Sequence, residues 1–514
     1  MNSINGLGNN YNTPVRNTGA SDAAPEKDSA PSESVTLRFL HTNDLHAQLI
    51  PSNIDGVQSG GMACLASQVK KERAGMEDST VLLDSGDSLS GSNFSAILEG
   101  KPMVKIMNAM GYDYAILGNH DFDFNKEGLI KSLSKASFQT LATNVLDDTK
   151  SSIFFSNPHG SASVALREIN GVKVGFLGFS TDETFLTEDK ENLKDLSINN
   201  PVEETRKCVS YLKKNGFDII VALSHLGLEQ DKKLAEKIPE IDMIFSGHTH
   251  DVTAEPVKVG NTLIVQEGCK GSYLGAMDVS FNKNSGKIED TKYRLIPINP
   301  STIEPDRKVG ALIAKYQGQI NEVIEQQVGE AEIPLTRSGH TDSTLGNLVA
   351  DAMKEKAGAE IALIHSGFFR RNQPAGNVTM GDLIDIMPYN LNLVKTRLTG
   401  AQLHSIIERS VENADPEREK SKMLQVSGLS VRYDAKAPDG KKVMEILFQG
   451  APLDPHREYK VATADFLARG GLGYHFFKKG TNNESKTLLR DVVAEYLLQH
   501  KTVSPEAGKR ISTV

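Results

Sequence analysis

The chain has 514 residues, a formal net charge of −9, 39% hydrophobic residues and 24% charged residues. That length exceeds one domain of ~100–200 residues, so two large domains are expected. The acidic balance excludes a general binder of nucleic-acid polymers, and no apolar run approaches the ~18 residues of a membrane-crossing helix.

Residues 1–34 are rich in Asn, Ser, Gly, Pro and Ala and read as a disordered leader. They lack the basic start and apolar core of a classical secretory signal. Export by a route that needs no apolar signal, such as type III secretion, is the favoured expectation, with a cytoplasmic location as the alternative. Cys64, Cys208 and Cys269 are far apart and odd in number, so free thiols are expected rather than a disulfide.

From Val35 to about residue 300 strand-like runs alternate with helical patterns such as Glu203–Lys214, an α/β grammar. Five of the runs lead into short polar strings. Val35–Leu40 precedes Asp44-Leu45-His46, and Val81–Leu83 precedes Asp84-Ser85-Gly86-Asp87. Tyr114–Leu117 enters Gly118-Asn119-His120-Asp121, and Ile219–Leu223 enters Ser224-His225. Met243–Phe245 is followed by Gly247-His248-Thr249-His250. Lys173–Leu177, Leu263–Val265 and Met277–Phe281 add further strands.

In a sheet with helices on its faces, ligands gather beyond the carboxyl ends of the strands. Five strand ends delivering Asp, Asn or His to one edge would form a nest for two divalent metals. Two ions ~3.5–4 Å apart need a shared anionic bridge and several ligands each. Asp87 is the natural bridge, with Asp44, His46 and His250 on one ion and Asn119, His225 and His248 on the other. This donor mixture suits Zn, Mn, Co or Fe better than Ca or Mg. Any one string alone is weak, and Asn119 by itself fits a left-handed turn beside Gly118. Five in this order carry the reading.

A Pro-rich stretch, Pro297–Pro305, ends the first domain, residues 35–300. Residues 301–328 form a linker, in which Leu312, Ile313, Tyr316, Ile320, Val323 and Ile324 give Val309–Val328 a helical spacing. In the second domain, residues 329–514, Leu345–Met353 opens a helix and Ile361–Ile364 is a buried strand ending at His365-Ser366-Gly367-Phe368-Phe369-Arg370-Arg371. Asn377–Leu398 holds a turn, a helix and a strand. Tyr459–Asp465 is a strand that runs into Phe466 and a turn containing Gly470, Gly471 and Gly473, glycines that permit tight backbone beside a ligand.

The metal-ligand strings resemble the calcineurin-like metallophosphoesterases. Phe39-Leu40-His41-Thr42-Asn43-Asp44-Leu45-His46 and Leu117-Gly118-Asn119-His120-Asp121-Phe122-Asp123 look like the 5′-nucleotidase family. The resemblance implies a four-layer fold, a β-sandwich flanked by helices, then a linker helix and a second α/β (α+β) substrate-binding domain. It also implies that His120 faces the phosphate and that Asp123 orients it, an imidazolium stabilising developing negative charge. By the same resemblance Tyr389 and Phe466 sandwich a nucleobase, Arg370 grips phosphate, Arg337 is a second such arginine, and Gly471 belongs to the ligand turn.

The chain departs from the family at several recognition positions, the usual Pro-Phe-Gly-Asn becoming Pro388-Tyr389-Asn390-Leu391 among them. Leu472 stands where the family usually has an Asp that binds ribose hydroxyls, His365 replaces an Asn, and Phe368 replaces a Gly. The function implied is hydrolysis of nucleotide phosphate esters by a hydroxide bridging two metals, with a small-molecule nucleotide as partner and no membrane. The alternatives are a cyclic-nucleotide phosphodiesterase, a pyrophosphatase acting on NAD or nucleotide sugars, and a secreted effector acting as a binding protein.

Overall fold

The structure, a computed structural model, describes residues 34–54, 56–149, 152–153, 163–184, 192–412, 422–481 and 483–514. The expected leader lies outside them except for Ser34, which opens the first strand. Contacts divide the chain into two compact units. The first comprises residues up to Leu45, Ile50–Ser88 and Val104–Val309; the second comprises His46–Leu49, Leu89–Met103 and Gly310–Val514.

The first unit is a sandwich of two six-stranded sheets. One sheet runs Lys287–Pro297, Tyr273–Asn282, Ser34–Thr42, Thr80–Asp84, Tyr114–Ile116 and Gln139–Leu141, its last four strands parallel. The other runs Val257–Val259, Thr262–Val265, Met243–Phe245, Ile219–His225, Val172–Ser180 and Val164–Ile169, with a parallel centre. Leu37, Phe39, Val81 and Leu83 meet Phe176, Val221, Leu223 and Phe245 between the sheets, where Phe39 lies 6.2 Å from Phe176 and 6.0 Å from Phe245.

The outer face of the second sheet is apolar as well. Ile220, Ala222, Ile244 and Ile264 pack on Val209 and Leu212 of helix Pro201–Lys214 and on Leu234 of helix Leu228–Lys237. Helix Met62–Arg73 lies against the first sheet. Strands buried on both faces read as continuous apolar runs, which is why the five marker strands stand out in the sequence. The expected four-layer fold is present.

The second unit has one continuous core around a five-stranded sheet, ordered Leu424–Ser427, Ile361–His365, Glu458–Ala464, Asn392–Thr399 and Asn483–Leu488. Helices Thr344–Ala357, Gly400–Glu412 and Leu489–His500 accompany it. The helix expected over Val309–Val328 spans Arg307–Ile324 instead. It stops early because Gln327–Ala331 is a strand, paired with Gly376–Thr379 and Thr502–Val503. Those partners are too distant in sequence for helical periodicity to register. Cys64, Cys208 and Cys269 are free thiols, and no helix among the described residues is long and apolar enough to cross a membrane.

Candidate active site

The five polar strings sit where the parallel strands end. Asp44 and His46 follow strand Ser34–Thr42, Asp87 follows Thr80–Asp84, Asn119 follows Tyr114–Ile116, His225 is the last residue of Ile219–His225, and His248 and His250 follow Met243–Phe245. Side-chain donor atoms of Asp44, His46 and His250 lie within 4.8 Å of one another, as do those of Asp44, Asp87 and His225. Asp44 is thus common to both groups. His250 Nε2 is 3.3 Å from Asp44 Oδ1, and His225 Nε2 is 3.2 Å from Asp87 Oδ2 and 4.0 Å from Asp44 Oδ1. His248 joins neither group; its backbone N–H donates to Asp44 Oδ2 at 2.9 Å and its ring lies 5.1 Å from that of His225.

The backbone is bent to achieve this. Asp44, His46, Asp87, His248 and His250, five of the seven expected ligands, have positive φ. Each such residue costs ~1–3 kcal/mol, and such strain collects at functional sites. Asn119 does not share it. Its backbone is right-handed at φ −65 and ψ −41, so the left-handed turn that its neighbour Gly118 made plausible is not its role. Two glycines let the turns close in. A Cβ on Gly118 would collide with Asp87 Oδ1, and one on Gly247 would meet Ser85 O at 2.7 Å.

Two buried atoms test whether a metal suits these residues. Asn119 Oδ1 is shielded from solvent and has no hydrogen-bond partner, and buried His225 Nε2 faces the Asp87 and Asp44 carboxylates at 3.2 and 4.0 Å. Buried polar atoms in folded proteins are nearly always satisfied. His225 Nδ1 is engaged with Ser85 O at 2.7 Å, which leaves Nε2 directed toward the carboxylates. Burial pulls the His225 pKa down, but the Asp87 and Asp44 carboxylates outweigh it and push the ring up to about 9. Hydrogen bonds to Asp44 and Cys269 push His250 up to about 10. The cluster is therefore a concentration of negative charge that calls for cations, and an N/O donor set of this kind fits a divalent transition metal.

His120 Nδ1 lies 3.6 Å from Asp123 Oδ1, and the His120 backbone N–H donates to Asp87 Oδ1 at 2.8 Å. Several neighbours escaped the sequence reading. Asp121 accepts from the backbone N–H groups of both Asp87 and Gly118 at 2.9 Å, locking the two turns together. Glu183 is 3.2 Å from His248 Nε2. Buried His41 bonds Glu267 through Nδ1 and Ser85 Oγ, at 2.8 Å, through Nε2, while Tyr293 donates to Glu267 at 2.9 Å. Such outer partners orient metal ligands. Asp121 was visible inside Gly118-Asn119-His120-Asp121, whereas Glu183 carries no motif.

In the second unit Arg370 lies 5.0 Å over the Tyr389 ring. Burial and the charge of Arg337 both lower its pKa, so the two guanidiniums are electrostatic neighbours. Arg337 Nη1 donates to Phe369 O at 2.9 Å. A Cβ on Gly471 would strike the Phe466 ring. Leu472 is exposed, with φ 54, and offers no acceptor.

His365 accepts the Gly367 N–H on Nδ1 at 3.2 Å and packs edge-on to Phe368 and Tyr474. Burial, then the Lys422 ammonium, lowers its pKa to about 4. The neutral ring is therefore the folded form. Against an unfolded value of ~6.5 this is worth ~3 kcal/mol of stability, fully present above pH ~6.5 and lost as pH falls through ~4. Chemical unfolding in chelator at pH ~7 and ~4 should show wild type losing ~2–3 kcal/mol more than H365N. Equal losses would contradict this account of His365.

Comparison with known proteins agrees with the geometry. Residues 37–252 match the family model of calcineurin-like phosphoesterases, and residues 318–479 match that of the 5′-nucleotidase C-terminal domain. The snake venom 5′-nucleotidase of Gloydius brevicauda is 28% identical, covering 93% of this chain and 89% of the relative. Protein UshA of Yersinia enterocolitica is 27% identical over 85% of this chain and 86% of its own length. The crystal structure of a 5′-nucleotidase precursor from Thermus thermophilus superposes with a TM-score of 0.71 at 26% identity, covering 93% of this chain and 99% of that one.

Proposed function

The chain belongs to the 5′-nucleotidase family of calcineurin-like phosphoesterases, and from that premise we propose that it releases phosphate from nucleoside monophosphates at the Asp44–Asp87 cluster. It is a metal-dependent phosphoric-ester hydrolase. The observation that carries the assignment of the site is the buried Asn119 Oδ1, which has no hydrogen-bond partner, together with His225 Nε2 held toward the Asp87 and Asp44 carboxylates.

Asp44, His46, Asp87, Asn119, His225, His248 and His250 would hold two divalent ions. Bound there, the ions supply Lewis acidity toward a phosphoryl oxygen and lower the pKa of water from ~15.7 toward ~7. The protein's own groups do the rest. Ser85 O fixes the His225 ring so that Nε2 faces the carboxylates. Protonated His120, oriented by Asp123, donates to a phosphoryl oxygen as negative charge builds on it. Arg370, with Arg337 beside it, supplies planar donors matched to phosphate. Tyr389 and Phe466 are partly exposed aromatics of the same half. This role belongs to nucleotide catabolism.

The test is phosphate release from AMP, cyclic AMP, NAD and UDP-glucose, after chelation and after adding back manganese or zinc. The reading expects AMP turnover that chelation abolishes and metal restores. Turnover of AMP indifferent to chelation, or turnover of only the diester or the pyrophosphates, would reject it.

A further inference from the structure

The aromatic surface of the substrate-binding half is already engaged by the protein itself. Phe368 ends the short turn Ser366–Phe368 that follows strand Ile361–His365, and its ring is buried. That ring meets Tyr389 at 6.3 Å between centroids with planes at 69°, and Phe466 at 6.2 Å with planes at 79°. Tyr389 also carries the Arg370 guanidinium over its face, and Phe466 rests against Gly471. Edge-to-face pairs at this spacing attract one another in their own right. Any flat ligand seeking Tyr389 and Phe466 must therefore compete with Phe368. A smaller residue at the same place would leave those two rings with a gap, and here the gap is filled.

We propose that Phe368 is a specificity-determining residue: its ring takes up the space that Tyr389 and Phe466 would otherwise offer to a nucleobase. The substrate half then holds a phosphomonoester chiefly by its phosphate, through Arg370 and Arg337, and discriminates little between a nucleotide and a sugar phosphate. Exposed Leu472, without a hydrogen-bond acceptor on its side chain, points the same way for the ribose. The inference rests on the phosphohydrolase reading above and adds its substrate selectivity.

The experiment compares AMP with ribose 5-phosphate, the same phosphoester without its base, in the manganese-loaded full chain and in F368G. Wild type should show KM values for the two within about threefold. F368G should lower the ratio of KM for AMP to KM for ribose 5-phosphate about tenfold, the gain expected of one restored stack. A wild-type preference for AMP above about tenfold in KM overturns the proposal, as does an unchanged ratio in folded F368G. If thermal unfolding shows that F368G does not fold, the wild-type ratio decides alone. If neither substrate releases phosphate, the hydrolase reading fails separately, and calorimetric titration of AMP into both proteins decides Phe368. Tighter binding by F368G supports the proposal, and equal affinity overturns it.

Discussion

Replacing Asp44 with asparagine should cut kcat/KM for phosphate release by at least about 10³-fold and strip metal from the purified protein, while the fold survives. The reason lies in how the two carboxylate oxygens divide their work. Oδ2 accepts from Asn43 Nδ2 at 2.6 Å and from the His248 N–H at 2.9 Å, contacts that an amide oxygen reproduces. Oδ1 faces His250 and His225 at 3.3 and 4.0 Å. In D44N the amide oxygen stays with its two donors, so the NH₂ turns toward the imidazoles and presents hydrogens where a cation needs a lone pair. Several kcal/mol of transition-state stabilisation come from such ions, and ~4 kcal/mol corresponds to about 10³ in rate. Metal analysis beside steady-state kinetics and thermal unfolding checks this. A D44N protein that keeps both its metal and more than about a tenth of wild-type turnover would show that Asp44 is not a metal ligand.

His120 should behave differently. H120A is expected to lower kcat by about 10²–10³ while KM moves less than about threefold and metal content stays at the wild-type level. Loss of a donor aimed at developing charge has that magnitude and appears in the chemical step. The turn that carries the residue is secured through its backbone, by the bond from the His120 N–H to Asp87 Oδ1, so removing the imidazole leaves the metal ligands in position. D123N should cost only about tenfold, because Asp123 acts through His120 from 3.6 Å and both side chains are partly solvated. Metal loss in H120A would recast His120 as structural. An unaltered kcat would remove it from the mechanism.

The convergence of Asp44, His46, Asp87, His225 and His250 was legible in the sequence for a physical reason. Parallel strands buried on both faces announce themselves as apolar runs, and the expected ligands follow each run within a few residues, as Asp44 and His46 follow Ser34–Thr42. What supports those ligands is not local. His41 and Glu267 are 226 residues apart and meet only because strands Ser34–Thr42 and Tyr273–Asn282 pair antiparallel nearby. Glu183 reaches His248 across 65 residues with no motif to mark it. The left-handed backbone of five of the expected ligands was equally hidden, since Asp and His in such conformations carry no sequence signature comparable to glycine.

In the second unit the sequence nominated Arg370, Tyr389 and Phe466, and the Gly-rich turn was noticed. The packing was not. Gly471 reads as part of a ligand turn, and its missing side chain also makes room for Phe466. Phe368 could be recognised as bulkier than expected, but that its ring touches both aromatics at once follows only from the three-dimensional packing. The early end of helix Arg307–Ile324 has the same origin: apolar spacing continues past Ile324, and sheet pairing overrides it.

Counting bound metal tests the central claim most directly. Equilibrium dialysis of chelator-treated protein against manganese or zinc, followed by elemental analysis, should find about two equivalents per chain, with phosphate release returning in step with occupancy. Full turnover in protein stripped to well under about a tenth of an equivalent would contradict the account.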